Sequence, residues 1–261
     1  MIKQMKLSVV IPTKNRSDLL SENLKSLLAQ TLPSEEFEVI IVDNGSTDNT
    51  KEIISSFKDK IENLKYFYIE KPGLHVCRHK GLKEAKSDIL VYVDDDIVAF
   101  PEWLEGVWES FQDEEVVLVG GKNLPKWESE PPYWIYEMWM NINEYGHALG
   151  HLSILDFGDK AIEIDPAYVW GCNFSIRKNV LLDAGGFHPD AFPQEMIMYR
   201  GDGETYISEY IRKNGLKALY NPKASVYHFV PRSRMTLDYF CKRSFNQGIS
   251  NSYSEIRNKY L

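Results

Sequence analysis

The sequence predicts an α/β fold, with a mostly parallel central sheet flanked by helices in the manner of Rossmann-like proteins. Short runs of β-branched and aromatic residues alternate with helical patterns over the first 120 residues, as is typical of βαβ units. Runs such as Val39 to Val42 are apolar at every position, as in strands covered on both faces. We therefore expect ligands to bind beyond the carboxyl ends of these strands.

The elements predicted for this first part follow from their residue patterns. Leucines recur at helical spacing from Leu19 to Leu28 behind Ser17, which we expect to cap the first helix. The other predicted elements are strands at Leu7 to Ile11, Glu38 to Val42, Lys65 to Ile69, Ile89 to Val93 and Val116 to Val119, and helices at Asp48 to Phe57 and Leu74 to Lys86.

The pattern changes after Gly120. Residues 122–155 are rich in proline and aromatic side chains without clear alternation, so we expect an inserted, partly helical lid. Regular elements then return: strands at Tyr168 to Ile176, Ala218 to Tyr220 and Val226 to His228, helices at Lys178 to Ala184 and Glu204 to Asn214, and a helical tail from Met235. No repeat divides the chain, and we expect a single domain over residues 1–261.

Composition limits the classes of partner and the compartment. The net charge of -8 makes nucleic acid an unexpected main partner. Three widely spaced cysteines, Cys77, Cys172 and Cys241, indicate free thiols in a reducing compartment. No signal-peptide pattern and no apolar stretch of the ~20 residues that span a bilayer is visible, so we expect a cytoplasmic protein.

An acidic run, Asp94-Asp95-Asp96, directly follows the predicted strand Ile89 to Val93. Adjacent carboxylates repel each other unless a cation lies among them, and oxygen ligands of this kind suit Mg²⁺ or Mn²⁺. Taken alone, such a run is more often a solvated acidic loop that caps the next helix. Its position at a strand end favours a metal site.

Two more strand ends point to the same edge of the predicted sheet. The first strand leads into the segment Pro12 to Arg16, and the second into Asp43-Asn44. An aspartate here can accept hydrogen bonds from a base or a ribose. Turn and helix-cap chemistry is the alternative explanation for Asp43 to Asp48.

Taken together, these motifs resemble family 2 glycosyltransferases with the GT-A fold. The resemblance rests on the order and spacing of four segments within the first hundred residues, and further matches extend it to about residue 250. The segments are Ser8 to Arg16, Val42 to Asp48, Arg78 through Gly81 to Asp88, and Asp94-Asp95-Asp96.

The resemblance implies a site for a nucleotide-diphosphate sugar, with a UDP-sugar favoured, in residues 1–120. Pro12, Thr13, Asp43 and Asn44 would hold the nucleoside, whereas Lys14 replaces an aromatic residue that is common in relatives. The full set assigned to the donor is Pro12, Thr13, Lys14, Arg16, Asp43, Asn44, Arg78, Asp94, Asp95, Arg232 and Arg234, and the implied ligands of Mg²⁺ or Mn²⁺ are Asp96, Asp94 and His228.

Some of these assignments have plain alternatives. His228 ends a predicted strand, and a lone histidine is commonly an ordinary packing residue. Arg232 and Arg234 could reach donor phosphates because guanidinium groups match phosphate oxygens, or they could form a solvated basic turn. Arg78 would contact the diphosphate or its loop, or lie on a helix surface.

Residues 121–234 would supply the acceptor site, below the aromatic lid. The segment Trp170-Gly171-Cys172-Asn173 resembles the acceptor-side strand of the family, where Gly171 would allow substrate to approach closely. The alternative is a core strand with a packing glycine.

The catalytic base is expected at the start of the helix that ends at Gly215. Counting back from Gly215 places Glu204 at the base position of the family and Gly203 where a first acid normally stands, with Asp202 one step earlier. Glu204 is the favoured base and Asp202 its competitor. Carboxylates at a helix N-terminus also simply stabilise the helix dipole.

The predicted function is therefore inverting transfer of a sugar to a hydroxyl group of a glycan or lipid-linked acceptor. The tail over residues 235–261 mixes basic and aromatic residues, and could touch the inner face of a membrane or pack as an ordinary helix. Two alternatives remain: a non-catalytic module that binds nucleotide sugars, and a sugar nucleotidyltransferase. The second would be expected to carry a glycine-rich, lysine-bearing loop after the first strand, and the segment Pro12 to Arg16 has no glycine.

Overall fold

A computed structural model describes residues 5–190 and 194–260 of the chain. The first part folds into the alternating elements that the sequence predicts, with the bounds β1 Leu7–Thr13, α1 Ser17–Leu28, β2 Phe37–Asp43, α2 Thr50–Phe57, β3 Leu64–Tyr68, α3 Leu74–Glu84 and β4 Ile89–Val93. The predicted cap of α1 is wrong, because Ser17 is the first residue of the helix and Arg16, which makes no side-chain capping bond, is at the N-cap position. The two carboxylate oxygens of Asp48 instead accept hydrogen bonds from the backbone N–H groups of Ser17 and Thr50. Asp48 therefore links the starts of α1 and α2.

The later elements begin with a short strand directly after the acidic run. Their bounds are β5 Ile97–Ala99, α4 Trp103–Ser110, β6 Val116–Gly120, β7 Asn123–Trp127, α5 Tyr133–Met140, β8 His147–Leu149, β9 Ile154–Asp156, β10 Ile162–Glu163, β11 Asn173–Arg177, α6 Lys178–Asp183, α7 Thr205–Lys213, β12 Lys217–Tyr220, β13 Val226–Val230 and α8 Leu237–Tyr260. The strand predicted from Tyr168 begins only at Asn173, because Pro166–Tyr168 form a turn of 3₁₀ helix.

The central sheet has the strand order β10-β12-β6-β11-β4-β1-β2-β3. Strand β1 is parallel to both β2 and β4, and Thr13 lies beside Asp43 at their carboxyl ends. Strand β11 runs antiparallel between β4 and β6. The sheet is thus mostly parallel, as predicted, and the polar residues that follow β1, β2 and β4 meet at one edge.

The sequence did not predict a second sheet, with the order β5-β13-β7-β9-β8. It contains three strands from the segment that we expected to be a partly helical lid, and α5 is the helix of that segment. Strand β13 lies between β5 and β7, and its pairing with β5 places His228 beside Ile97, next to the acidic run.

Apolar residues cover both faces of the central sheet. One face packs against α1, α2 and α4 through residues such as Leu24, Ile54 and Trp103. The other packs against α3, α6 and α7, and a smaller cluster joins α5 to the start of α8 through Ile135 and Phe240. Within residues 5–190 and 194–260, no helix is both long and apolar enough to cross a membrane.

Candidate active site

The three carboxylates of the acidic run have different surroundings. Asp95 is 3% exposed; it accepts hydrogen bonds from Thr13 Oγ1 (2.7 Å) and Arg16 Nη1 (2.8 Å). It therefore fastens the end of β4 to the end of β1 and the start of α1. Asp94 and Asp96 instead cluster with His228.

Asp94, Asp96 and His228 form a cluster that could hold a metal ion. One potential ligand atom from each lies within 4.8 Å of the others. His228 Nδ1 lies 3.0 Å from the carbonyl oxygen of Leu152, which can only accept, so neutral His228 keeps its lone pair on Nε2. Asp96 Oδ1 is buried and has no hydrogen-bond partner among the described residues. Two carboxylates and an imidazole fit a divalent cation, which would satisfy that oxygen.

Positive charge already surrounds part of this cluster. Arg16 Nη1 lies 3.0 Å and Arg234 Nη2 3.3 Å from Asp96 Oδ2. Burial alone would raise the pKa of Asp96, but His228 in its protonated form and the two guanidinium groups hold it well below its ordinary value. Burial and the neighbouring Asp96 raise the pKa of Asp94. The pair therefore favours a further cation beside Asp94.

A first cavity, of about 400 Å³, opens beside the acidic run. Most of the residues predicted for the donor line it, together with two that the sequence reasoning missed. The lining residues are Pro12, Thr13, Lys14, Arg16, Asn44, Leu74, Cys77, Asp94, Asp95 and Arg234. Burial raises the pKa of the Cys77 thiol to about 12, so this side chain is an apolar wall and not a nucleophile.

Three residues predicted for the donor do not line this first cavity. Asp43 is buried; its two oxygens accept hydrogen bonds from Ser46 N (2.8 Å) and Tyr66 Oη (3.0 Å). Its contact with a nucleoside stays a prediction. Arg232 is exposed and its Nε donates to Ser129 Oγ, so of the two arginines after β13 only Arg234 reaches the acidic run. The third, Arg78, lies behind the acidic run.

A second cavity, of about 470 Å³, lies on the side of α7 and α8. The predicted residues Trp170 and Glu204 line it, and α8 contributes two side chains that the sequence reasoning did not assign to a site. The lining residues are Gly150, His151, Ser153, Ala167, Val169, Trp170, Glu204, Thr205, Ser208, Arg243 and Gln247.

Arg78 connects the two sides of the site. Its Nη1 donates to Glu204 Oε2 (3.1 Å), its Nη2 lies 3.9 Å from Asp94 Oδ1, and its side chain is only 4% exposed. It is therefore a buried bridge and not a surface charge. Gly171 makes the bridge possible: a Cβ atom there would lie 2.1 Å from Arg78 Nη2. The space expected for substrate at this glycine is thus filled by the guanidinium group.

The two candidates for the catalytic base differ sharply in exposure. The Asp202 side chain is fully buried, contacting His188 Nδ1 (2.6 Å), Arg257 Nη1 (2.7 Å) and Ser254 Oγ. The Glu204 side chain is 26% exposed and lines the second cavity. Burial would raise the pKa of Glu204, but the charge of Arg78 holds it below its ordinary value, so Glu204 is ionised at neutral pH. The geometry favours Glu204 as a proton acceptor.

Gly203 stands between these two carboxylates, at the position where the family usually has its first acid, and its backbone conformation explains why a glycine is found there. It has a φ of +54°, and a Cβ atom there would lie 2.7 Å from Asp190 Oδ2. A side chain at this position would be strained and crowded.

The predicted acceptor segment divides into two parts. Trp170 lines the second cavity, and the backbone N–H of Gly171 donates to Glu204 Oε1. Cys172 and Asn173 are 2% and 1% exposed and line neither cavity. Asn173 accepts from Trp103 Nε1 (3.0 Å) and donates to the carbonyl oxygen of Ala224 (2.9 Å) and to an amide oxygen on β7. The burial of these two residues favours the alternative of a core strand, and their contact with an acceptor stays a prediction.

The mostly parallel sheet flanked by helices, with an acidic cluster beyond β4, agrees with the GT-A fold that the sequence resembles. The model of the family described as glycosyl transferase family 2 matches residues 8–184, and the chain belongs to this family. It is 27% identical over 262 residues to the glucosyl-dolichyl phosphate glucuronosyltransferase of Haloferax volcanii, covering 97% of this chain and 78% of that protein. It is also 36% identical over 132 residues to the poly(ribitol-phosphate) β-N-acetylglucosaminyltransferase TarS of Staphylococcus aureus, covering 47% of this chain and 23% of TarS.

Solved structures share the fold. A mannosyltransferase of Pyrobaculum calidifontis in complex with GDP-Man and Mn²⁺ matches with a TM-score of 0.66 and 19% identity, covering 97% of this chain and 64% of that one. Residues 1–349 of S. aureus TarS in complex with UDP-GlcNAc match with a TM-score of 0.61 and 22% identity, covering 87% and 59%. The chain thus spans less than two thirds of each solved chain.

Proposed function

We propose that this glycosyltransferase uses a divalent metal ion and a nucleotide-diphosphate sugar, and transfers the sugar to a hydroxyl group with inversion at the anomeric carbon. The observation that carries the proposal is the bridge from Asp94 through Arg78 to Glu204, which joins the first cavity to the second. Solved relatives that contain UDP-GlcNAc, or GDP-Man with Mn²⁺, support this use of the first cavity.

The residues of the chain would divide the reaction between them. Asp94, Asp96 and His228 would hold Mg²⁺ or Mn²⁺, which neutralises charge on the departing nucleoside diphosphate. Glu204, ionised and facing the second cavity, would take the proton from the acceptor hydroxyl as its oxygen attacks the anomeric carbon. The new carbon–oxygen bond forms opposite the bond that breaks, so no covalent sugar–enzyme intermediate is required.

The division of the chain follows from the same cavities. Residues 1–120 would form the donor half, and residues 121–234 would form the acceptor half with the aromatic segment. The tail, residues 235–261, would complete the acceptor side, because Arg243 and Gln247 line the second cavity. We further propose a cytoplasmic protein whose acceptor is a glycan or a lipid-linked glycan. Exposed Phe245 and Ile256 on α8 would allow peripheral contact with a membrane.

A ligand screen tests the donor site. UDP-, GDP- and dTDP-sugars are added to the protein with and without Mn²⁺, and thermal unfolding is followed. A ligand at 100 times its dissociation constant stabilises the folded state by about 2.7 kcal/mol. We expect at least one nucleotide sugar, a UDP-sugar being favoured, to stabilise the protein only when Mn²⁺ is present, and Asp96→Asn to abolish the effect. No stabilisation by any of them would refute the donor site.

One alternative function remains open. Because Gly203 replaces the first acid of the usual pair, the chain could bind nucleotide sugars without turning them over. Measured transfer or donor hydrolysis separates the two functions. Metal-dependent binding without turnover, unchanged in Glu204→Gln, would favour the binding module. The nucleotidyltransferase alternative is set aside because the chain belongs to glycosyl transferase family 2.

A further inference from the structure

The second cavity contains one positive charge that no carboxylate of the described chain neutralises directly. Arg243 lines this cavity and is only partly buried. Among residues 5–190 and 194–260, it forms no ion pair or hydrogen bond, and its charge acts on the neighbouring Glu204 and His151. Glu204 already has a partner in Arg78 at 3.1 Å. The guanidinium group of Arg243 is therefore available to a ligand.

The neighbouring His151 does not supply a second charge. Its ring stacks on Phe240, with the centroids 4.8 Å apart and the planes at 11°, and its Nε2 lies 3.0 Å from Ser244 Oγ. Burial and the charge of Arg243 lower the pKa of His151, which keeps the ring neutral at physiological pH. Arg243 is thus the cationic group of the cavity wall.

The rest of the wall suits a sugar ring. Trp170 presents a large, rigid aromatic surface, and its Nε1 is already bonded to the carbonyl oxygen of Ala167 (2.9 Å), which fixes the ring. Hydroxyl and amide groups of Ser153 and Gln247 also line the cavity. A volume of about 470 Å³ lies in the range of ordinary small-molecule sites.

We propose that the second cavity binds an acceptor sugar that carries a negatively charged group, a phosphate or a carboxylate, and that Arg243 binds this group. The inference rests on the proposed function, because it takes Glu204 as the base that the acceptor hydroxyl approaches. The forked guanidinium group matches two oxygens of either anion, whereas a neutral sugar would leave its charge without a partner. Arg243 is then a specificity-determining residue at the acceptor.

A neighbouring lysine provides a matched control. Lys242 precedes Arg243 on α8, is 74% exposed and pairs with Asp238 at 2.8 Å, and it does not line the cavity. Lys242→Gln and Arg243→Gln remove the same charge from adjacent positions of one helix. Only the second removes it from the cavity.

The test measures binding by calorimetry with matched probes. The 1-phosphates of glucose, galactose, mannose and N-acetylglucosamine, and glucuronate and galacturonate, are compared with the neutral methyl glycosides of glucose, galactose, mannose and N-acetylglucosamine, with and without UDP and Mn²⁺. A charge-assisted hydrogen bond contributes roughly tenfold or more in affinity. We expect at least one anionic probe to bind about tenfold more tightly than its neutral partner. The preference should disappear in Arg243→Gln and persist in Lys242→Gln.

The probes also identify the source of the charge, and the outcomes are separable. Preference for the 1-phosphates indicates a phosphorylated acceptor, and preference for the uronates an acidic sugar. Equal affinity for charged and neutral probes in the wild type, or an anion preference that survives Arg243→Gln, overturns the inference. If UDP does not bind but the preference depends on Arg243, the anion site stands and the proposed function fails.

Discussion

Two acidic runs, Asp94–Asp96 and Asp202–Glu204, lie on either side of Arg78, and in each run one carboxylate is tied to other segments of the chain. In Asp94–Asp96 the tied residue is Asp95, bonded to Thr13 and Arg16. In the run from Asp202 to Glu204 it is Asp202, bonded to groups of His188 and α8. Similar local sequences therefore contain both structural and site carboxylates.

The two runs differ in what compensates their other carboxylates. Asp94 and Asp96 share one side with the imidazole of His228, and Asp96 Oδ1 is left without a hydrogen bond from the described chain. Glu204 has a direct partner in Arg78. One run thus fits a metal ion, and the other fits a single ionised base. Burial and partners distinguish these roles, whereas acidity alone does not.

The largest expected effect comes from removing a proposed metal ligand. Asp96→Asn takes away the buried carboxylate that faces His228, and a metal that stabilises a leaving group contributes several kcal/mol to catalysis. We expect transfer to fall about 10³-fold, with Mn²⁺ dependence lost, as measured by initial rates over a Mn²⁺ titration. Asp95→Asn is the control, and it should lose stability while it still binds Mn²⁺. Full activity of Asp96→Asn would mean that the run is only a loop.

Removing the proposed base should have a comparable but more selective effect. Glu204→Gln keeps the size of the side chain but cannot accept a proton, and general base catalysis contributes roughly 10²- to 10⁴-fold. We expect the turnover rate to fall within this range while donor affinity, measured by calorimetry, is unchanged. Glu209→Gln on the same helix is the matched control, since Glu209 pairs with Arg257 outside the cavity. Similar turnover in Glu204→Gln and the wild type would exclude Glu204 as the base.

The sequence predicts the donor half of the fold well, for a physical reason. Strand β4 is apolar at all five positions and ends at the acidic run, and its predicted bounds, Ile89 to Val93, are those of the structure. The second sheet escaped prediction because β8 and β9 have three residues each, and β7 contains Pro125, which cannot donate a ladder hydrogen bond. In this second sheet, β7 also pairs with β13, a strand about a hundred residues further along the chain, so no local pattern reveals the pairing.

The site could be predicted where its residues lie in strands or directly after them, and not where distant helices supply them. Asp96 follows β4 and His228 lies within β13, so strand pattern and resemblance were enough to bring them together. Arg243 lies on α8, as do Ser254 and Arg257, which contact Asp202, and no local pattern shows which face of that helix meets the site. The sequence predicts that Gly171 leaves space for substrate, because sequence alone does not show that Arg78 fills this space.

A smaller effect on turnover is expected from changing Arg78, which joins the two runs. Arg78→Lys keeps the charge but loses the fork that reaches both Glu204 and Asp94. Misplacing a catalytic group by about 1 Å can cost on the order of 10²-fold, so we expect a turnover rate roughly 10- to 100-fold lower with a smaller change in KM. Arg232→Lys, at an exposed arginine outside both cavities, should behave as the wild type. An unchanged turnover rate in Arg78→Lys would show that the bridge is only structural.

The smallest effect on turnover is expected for the tied carboxylate of the second run. Asp202→Asn removes a buried charge and leaves Arg257, 11% exposed, with Glu209 alone. Breaking a buried ion pair from one side costs about 3 kcal/mol. We expect that loss in the free energy of unfolding, measured by urea denaturation at pH 7, with turnover of the folded fraction changed only a few-fold. A large loss of turnover without a loss of stability would restore Asp202 as the base.

The pH dependence of stability tests how tightly Asp202 is paired in the folded protein. Burial would raise the pKa of Asp202, but hydrogen bonds from His188 and Ser254 and the charge of Arg257 hold it below its ordinary value. Stability from such a group is fully present above the unfolded pKa, about 4, and is lost as the pH falls through the lower folded value. The difference in the free energy of unfolding between wild type and Asp202→Asn should therefore be constant from pH 5 to 7. It should decline as the pH falls below about 4. A difference that persists unchanged at about pH 3 would contradict a depressed pKa, and with it the tight pairing to α8.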